Sequence, residues 1–209
     1  MFITFEGTDG GGKSTQIPRL GAQLRARGYE VVTTRDPGGT AIGDQIRDVL
    51  HRLDNEHMHP VTELLLYSAS RAQMVNEVVR PALAQGKVVL ADRFYDSTTA
   101  YQGYGRGLDQ TALGMVTKLA TGGLAPDLTL YFDLPPALAL DRRKSDQQAE
   151  WNRMDAEELA FHQRVYDGYR KLIAEEPQRW VVIDANQSVE AVERDVLNAV
   201  VERLHIARS

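Results

Sequence analysis

The sequence predicts an α/β protein built in three layers, a five-stranded parallel sheet with helices on both faces. Three observations lead there. Short runs rich in β-branched and aromatic residues stand at 2–6, 30–34, 87–91, 128–132 and 180–183. Helical stretches separate them, at 16–28, 42–53, 61–84, 110–120, 136–144, 156–176 and 189–204. The runs are continuously apolar instead of alternating, as parallel strands covered on both sides must be.

Taken in order, the first run ends in a glycine turn, and the helix after it carries Leu20 and Leu24 at helical spacing. The second and third runs end beside Arg35 and Asp92, and the fourth beside Asp133. In such a sheet ligands collect at the carboxyl ends of the strands, so chemistry is expected just after Glu6, Thr34, Ala91, Phe132 and Ile183. The 209 residues, 43% hydrophobic, can bury one core, and we read them as one domain over 1–209. One segment breaks the pattern. Residues 145–153 are polar and dense in charge, either a solvated connection between helices or a lid.

Composition removes several classes of function. With no cysteine, neither a disulfide framework nor a thiolate metal site is possible. The opening residues turn acidic too soon for a signal peptide, and no run approaches the ~20 apolar residues of a membrane span, so a cytoplasmic protein is expected. A net charge of -5 argues against bulk binding to nucleic acid or to an anionic membrane, because either needs a basic face. An anionic ligand must therefore be held by local cations.

Those cations begin in a phosphate cradle. Gly7, Thr8, Asp9, Gly10, Gly11, Gly12, Lys13 and Ser14 satisfy the P-loop pattern G-x-x-x-x-G-K-S/T, with Thr15 following, between a strand and a helix. Glycines let backbone N–H groups turn inward around a β-phosphate, and the helix directs its positive end at the same oxygens. Lys13 adds a point charge, and Ser14 offers a hydroxyl to Mg²⁺, a hard ion that prefers oxygen. This predicts the P-loop NTPase fold. A GTPase is disfavoured, because Asp36-Pro37-Gly38-Gly39 has no N-K-x-D partner downstream. A motor ATPase is disfavoured too, because the third strand ends in Asp92-Arg93 instead of an acidic pair.

Transfer between two nucleotides requires two polyanions to be brought into line, so it needs cations and a metal more than a base. A phosphate monoester, with its second pKa near ~6, is already ionised at neutral pH. The five histidines accordingly read as surface or packing residues. Arginines sit where chemistry is expected: Arg35 and Arg93 at strand ends, Arg71 within a helix, and Arg142, Arg143 and Arg153 flanking the polar segment. Each presents a planar fork suited to two phosphate oxygens.

From Phe2 to about Leu204 the chain resembles thymidylate kinases. The resemblance rests on the cradle, on Thr34-Arg35-Asp36-Pro37-Gly38-Gly39-Thr40, on the stretch from Asp92-Arg93-Phe94-Tyr95 through Gly103, and on Ala125-Pro126-Asp127 through Asp133. It implies ATP as donor, dTMP as acceptor, Mg²⁺ held by Ser14 and Asp92, and a homodimer built on long helices. It further implies that Asp9 bonds the acceptor's 3′-hydroxyl while Arg35 and Arg93 hold its phosphate. Tyr67 would stack on thymine and Arg71 would donate to a thymine carbonyl; their i, i+4 spacing puts them on one helix face. Ser97 and Thr98 would approach base and phosphate, Tyr101 would crowd the 2′ position, and Gln102 would add a polar contact.

The cradle carries only Lys13, so the resemblance is to the type that keeps its catalytic arginine in a lid, here about 143–154. Arg142 or Arg143 would lie near adenine, and Arg153 would close over the donor phosphate. Four departures stand out: Phe94 where tyrosine or histidine is common, Tyr67 for a commoner phenylalanine, Asn152-Arg153-Met154-Asp155 for Asp-Arg-Ile/Phe-Glu, and a slightly lengthened lid. Two rivals stand beside this reading. One is another nucleotide or nucleoside kinase of the same fold, taking deoxyuridylate or a deoxynucleoside, for which Glu6 could serve as base; the other is a regulatory P-loop protein that binds nucleotide and a partner without rapid turnover.

Overall fold

The computed structural model describes residues 1–145 and 151–204. Its centre is a five-stranded, wholly parallel sheet in the order β2-β3-β1-β4-β5. The strands are β1 (Phe2–Glu6), β2 (Val31–Arg35), β3 (Val88–Asp92), β4 (Leu128–Asp133) and β5 (Trp180–Asp184). Strand β1 pairs with β3 through Ile3↔Leu90 and with β4 through Ile3↔Leu128, so it has no free edge and every residue in it is buried. The fold expected from sequence is present, with each strand starting or ending within a residue or so of its expected bounds.

Helix α1 (Lys13–Ala26) follows the cradle, and α2 (Ala41–His51) follows β2 with Thr40 as its N-cap, the hydroxyl accepting from Gly43 N–H at 2.9 Å. The stretch expected as one helix over 61–84 is divided. It forms α3 (Pro60–Met74), a π-helical turn at Val75–Val79 and α4 (Arg80–Ala84). Pro81 cannot donate to the carbonyl four residues back, and the helix widens just before it. After β3 the chain forms a short α5 (Tyr95–Thr98) and a second π segment, Thr99–Gly105, where no helix was expected. Then come α6 (Gln110–Thr121), α7 (Pro136–Ser145), α8 (Leu159–Glu175, three residues later than expected) and α9 (Val189–Leu204).

Two apolar clusters cover the two faces of the sheet. Ile17, Leu20 and Leu24 of α1 and Val196 and Val200 of α9 pack on Ile3, Phe5, Leu90 and Leu130. Met74, Val75, Val79 and Ala82 pack on Phe2, Val89 and Ala91 from the other side. Full burial of each such aliphatic side chain contributes roughly 1.5–3 kcal/mol. A third cluster of Tyr101, Tyr131, Phe161, Tyr169 and Trp180 binds α8 to the π segment and to the sheet. It stands beside the carboxyl end of β1, where the Tyr169 hydroxyl meets Glu6. Phe94, one of the sequence departures, is wholly buried with its ring edge-on to Phe2 at 4.9 Å, a place where a polar ring atom would need a partner.

Candidate active site

Gly7 begins the cradle with φ 125, and a Cβ there would stand 2.6 Å from the Phe132 carbonyl oxygen, so only glycine lets β1 turn this close to β4. Gly10, at φ 85, is held as tightly against the Ala139 carbonyl of α7. Together they press the loop onto the sheet end, and α1 then points its N-terminus into the space above. Lys13 is buried and donates to the carbonyls of Gly7 at 3.0 Å and Thr8 at 2.9 Å. Burial and the nearby Arg93 lower its pKa, against the pull of Asp9 and Asp92. Gly10, Gly12, Lys13, Ser14 and Thr15 line an open cavity of about 480 Å³ that continues past the ends of β1 and β3.

Arg93 stands in the middle of that cavity. It is the non-glycine residue with positive φ, at 70, among the described residues, a backbone state that its neighbours must maintain. They do so from four sides. Nη2 donates to Asp9 Oδ1 at 2.7 Å and to the Tyr101 hydroxyl at 3.3 Å, while Nη1 donates to Ser97 Oγ at 3.0 Å and the Tyr169 hydroxyl at 3.3 Å. Ser97 and Tyr169 donate in turn to the buried Glu6, at 2.6 and 2.8 Å, and Phe94 N–H adds a third bond to it at 2.8 Å. Asp9 also faces Lys13 at 3.7 Å. Burial opposes its ionisation, but Arg93 and Lys13 outweigh that and hold its carboxyl well below the usual range. Glu6 is thus engaged with Phe94, Ser97 and Tyr169, and the general-base use considered for it has no opening here.

At the far end of the cavity α3 presents Tyr67 and Arg71 together. Arg71 is 1% exposed; its Nε donates to Asp36 Oδ2 at 2.5 Å and one Nη to Thr98 Oγ1 at 2.6 Å. The other, Nη1, is buried with no partner among the described residues. A buried guanidinium N–H left open at a cavity is a donor prepared for a ligand. Gln102 lies in the same wall, its Nε2 donating to Glu63 at 2.7 Å. Arg35 lines the cavity from β2, half exposed and paired with Asp44 at 2.9 Å. Ser97, Thr98 and Tyr101 complete the expected set, all on α5 and the π segment that follows it.

The lid arginines divide differently from expectation. Arg142 and Arg143 line the cavity, Arg142 donating to the Ala185 carbonyl at 2.9 Å and Asn186 Oδ1 at 3.0 Å. Arg143 pairs with Asp155 through Nε at 3.1 Å and Nη2 at 3.0 Å. Arg153, expected over the donor phosphate, is 5% exposed and turned away from the cavity. Its Nε donates to the Leu50 carbonyl at 3.1 Å, its backbone N–H to the His51 carbonyl at 3.2 Å, and its Nη2 is 2.6 Å from Glu63 Oε2. The open carbonyls at the end of α2 and a buried carboxylate hold it there. The Asn152–Asp155 departure is a local turn. Asn152 Oδ1 accepts from Met154 N–H at 2.8 Å, and Asp155 Oδ2 accepts from Asn152 N–H at 3.0 Å. Residues 146–150 of the expected lid lie outside the described residues.

Sequence reading also missed Arg47 and His51, which line the cavity from α2 at i, i+4. Arg47 donates to the Pro37 carbonyl at 3.0 Å. Burial and Arg47 together push His51 down to about 4, so it is neutral at physiological pH. Their spacing was visible in the sequence, but only the docking of α2 on α3 selects the face that turns inward.

A glycine cradle closing on Lys13 and a second, arginine-rich pocket at the end of the same cavity define a P-loop phosphotransferase with room for two ligands in line. The family profile described as Thymidylate kinase matches residues 5–196. A thymidylate kinase of Roseiflexus sp. (strain RS-1) is 51% identical, over 97% of this chain and 93% of its own length. Those of Exiguobacterium sp. (strain ATCC BAA-1283 / AT1b) and Geotalea uraniireducens (strain Rf4) are each 49% identical, covering 98% and 97% of this chain and 95% and 97% of theirs. The chain belongs to the thymidylate kinase family.

Proposed function

We propose that the protein transfers the γ-phosphate of Mg-ATP to dTMP, giving dTDP and ADP by in-line transfer, in the supply of dTTP. One observation carries this reading. The cavity has a phosphate cradle at one end, a tyrosine and an open arginine donor at the other, and Arg93 fixed by four groups between them. Arg93 and Arg35 hold the acceptor phosphate, Tyr67 stacks on the base, Arg71 donates to a base carbonyl, and Asp9 accepts from the 3′-hydroxyl. The acceptor phosphate needs no base, which suits a site where Glu6, Asp9 and Asp36 are already engaged by donors.

Preorganisation supplies the rate. Arg93 meets developing charge without having to reorient, because Asp9, Ser97, Tyr101 and Tyr169 already hold it. Lys13 exchanges the two loop carbonyls for phosphate oxygens. Arg143, with Arg142, is the lid cation in this reading, since both line the cavity whereas Arg153 is buried outside it against Leu50 and Glu63.

For the metal, the donor set fits: Asp92 Oδ1 is buried with no partner among the described residues, and the Ser14 hydroxyl lines the same cavity. Mg²⁺ bound there neutralises charge on the donor phosphates. No helix among the described residues is long and apolar enough to cross a membrane. The reading includes a cytoplasmic homodimer with no nucleic-acid partner. Helices α3 and α6 pack together and expose Leu65, Met115 and Leu119, an apolar area suited to a second copy.

The test is ADP release from Mg-ATP with each deoxynucleoside monophosphate and with thymidine. Turnover largely confined to dTMP is expected. Turnover with thymidine alone overturns the phosphate-acceptor reading, and none with any acceptor leaves the regulatory P-loop protein as the better account.

A further inference from the structure

Glu63 does not touch the cavity, yet it is wholly buried on α3, one turn before Tyr67. Its carboxylate accepts from Gln102 Nε2 at 2.7 Å and from Arg106 Nε and Nη2 at 3.2 and 3.1 Å, and Arg153 Nη2 stands 2.6 Å away. Burial works against its ionisation, but the bonds from Arg106 and Gln102 and the charges of Arg106 and Arg153 outweigh that and hold its carboxyl below the usual range. An ionised carboxylate can only accept. Gln102 must therefore turn its nitrogen toward Glu63, and the orientation of its amide is determined by chemistry. That leaves the Gln102 carbonyl oxygen as the group with acceptor capacity for the cavity.

We propose that Glu63 is a positioning residue for base selection: by holding Gln102 with its carbonyl oxygen available, it makes the site accept a pyrimidine with N3–H beside a C4 carbonyl. The inference rests on the dTMP-kinase reading and deepens it. Arg71 Nη1, buried and unpartnered, supplies a donor in the same wall. A donor beside an acceptor complements the C4=O, N3–H edge of thymine and uracil. Cytosine presents the reverse, an amino donor and an N3 acceptor, and would set acceptor against acceptor at Gln102. Sites built on such buried polar groups discriminate more strongly than apolar ones, because the wrong partner leaves them unpaired. The same carboxylate anchors Arg153, so the base wall and the root of the lid share one charge.

The experiment measures affinities of dTMP, dUMP and dCMP by calorimetry, and kcat/KM for each, in the parent and in Glu63→Gln. In the variant, residue 63 can offer an N–H and Gln102 is free to turn over. The expected result is that dTMP and dUMP weaken together by about tenfold relative to dCMP, while ATP affinity stays within about twofold. Glu63→Asp keeps the negative charge for Arg106 and Arg153 but withdraws it from Gln102, and should show the same shift if the Gln variant does not fold. Combined with Gln102→Ala, neither change should lower the dTMP to dCMP ratio further. A ratio unchanged from the parent in the folded variants overturns the proposal even if overall activity falls, since a merely structural role weakens all three nucleotides alike. If the parent turns over dTMP and the ratio does not move, this inference alone fails. If the parent does not use dTMP, both fail.

Discussion

Glu6 ends β1 wholly buried, and burial with the neighbouring Asp96 carboxylate pushes its pKa from 4.5 up to about 7 against the pull of Arg93, Ser97 and Tyr169. The native state thus holds this proton over a pH range in which the unfolded chain has released it. The Glu6 contribution to stability is complete below about pH 4.5 and is lost as pH rises through 7. At 1.36 kcal/mol per unit the full change is on the order of 3 kcal/mol. Urea unfolding of the parent and Glu6→Gln across pH 4.5–7.5 should show the difference between them moving against the parent as pH rises; a constant difference refutes it. The same residue shows the reach of sequence. Its place at a strand end was legible, as were those of Asp9, Arg35 and Arg93. That it would bond Ser97 and Tyr169, 163 residues away for the latter, and so hold Arg93, depends on packing that no local pattern encodes. Arg47 and His51 stayed hidden for a related reason, since they sit among Asp48 and Arg52 on what reads as a solvated helix.

The helices α2 and α3 carry the main revision of the site. Arg143 and Arg153 both flank the polar segment, and only the family resemblance put Arg153 over the donor phosphate. What separates them is the end of α2, whose open carbonyls at Leu50 and His51 take Arg153, together with Glu63 on α3. Arg143 instead stands in the last turn of α7, where it pairs with Asp155 and lines the cavity. Arg143→Ala should therefore lower kcat by roughly a hundredfold, with dTMP affinity little changed, as expected of a contact that strengthens in the transition state. Arg153→Ala should act mainly on stability, by about 1–3 kcal/mol, because Glu63 stays buried but retains Arg106. Steady-state kinetics and urea midpoints on both variants check this; a large loss of kcat in Arg153→Ala with unaltered stability returns the role to Arg153. Helix breaks were less legible than helix presence. Val75–Val79 and Thr99–Gly105 widen into π turns whose cause is spread over Pro81 and the third apolar cluster, and periodicity carries no mark of either.

For the molecule as a whole, the sheet was the most legible feature, because each strand must be apolar on both faces and each must be followed by a helix. In the order β2-β3-β1-β4-β5 the chain leaves β1 toward one edge, to β2, and leaves β3 toward the other, to β4, and the cradle opens at that switch point. Association leaves a fainter mark. Met115 and Leu119 are 68% and 85% exposed, one helix turn apart on α6, and Leu65 is 52% exposed on the adjoining α3. Single exposed apolar residues are ordinary, whereas three large ones on two touching helices form a surface that water penalises. Because α3 also carries Tyr67 and Arg71, a second copy seated here would brace the base-binding helix from behind. Sedimentation should give about twice the 23.3 kDa chain mass, and Met115→Glu with Leu119→Glu should return the chain mass. The split between ligands discriminates further: loss of the brace should raise KM for dTMP by several-fold while KM for ATP holds, since the cradle rests on β1, β4 and α7. A parent that sediments at the chain mass, or a monomeric variant with both constants unchanged, means that these helices meet solvent and that the base pocket is rigid without a partner.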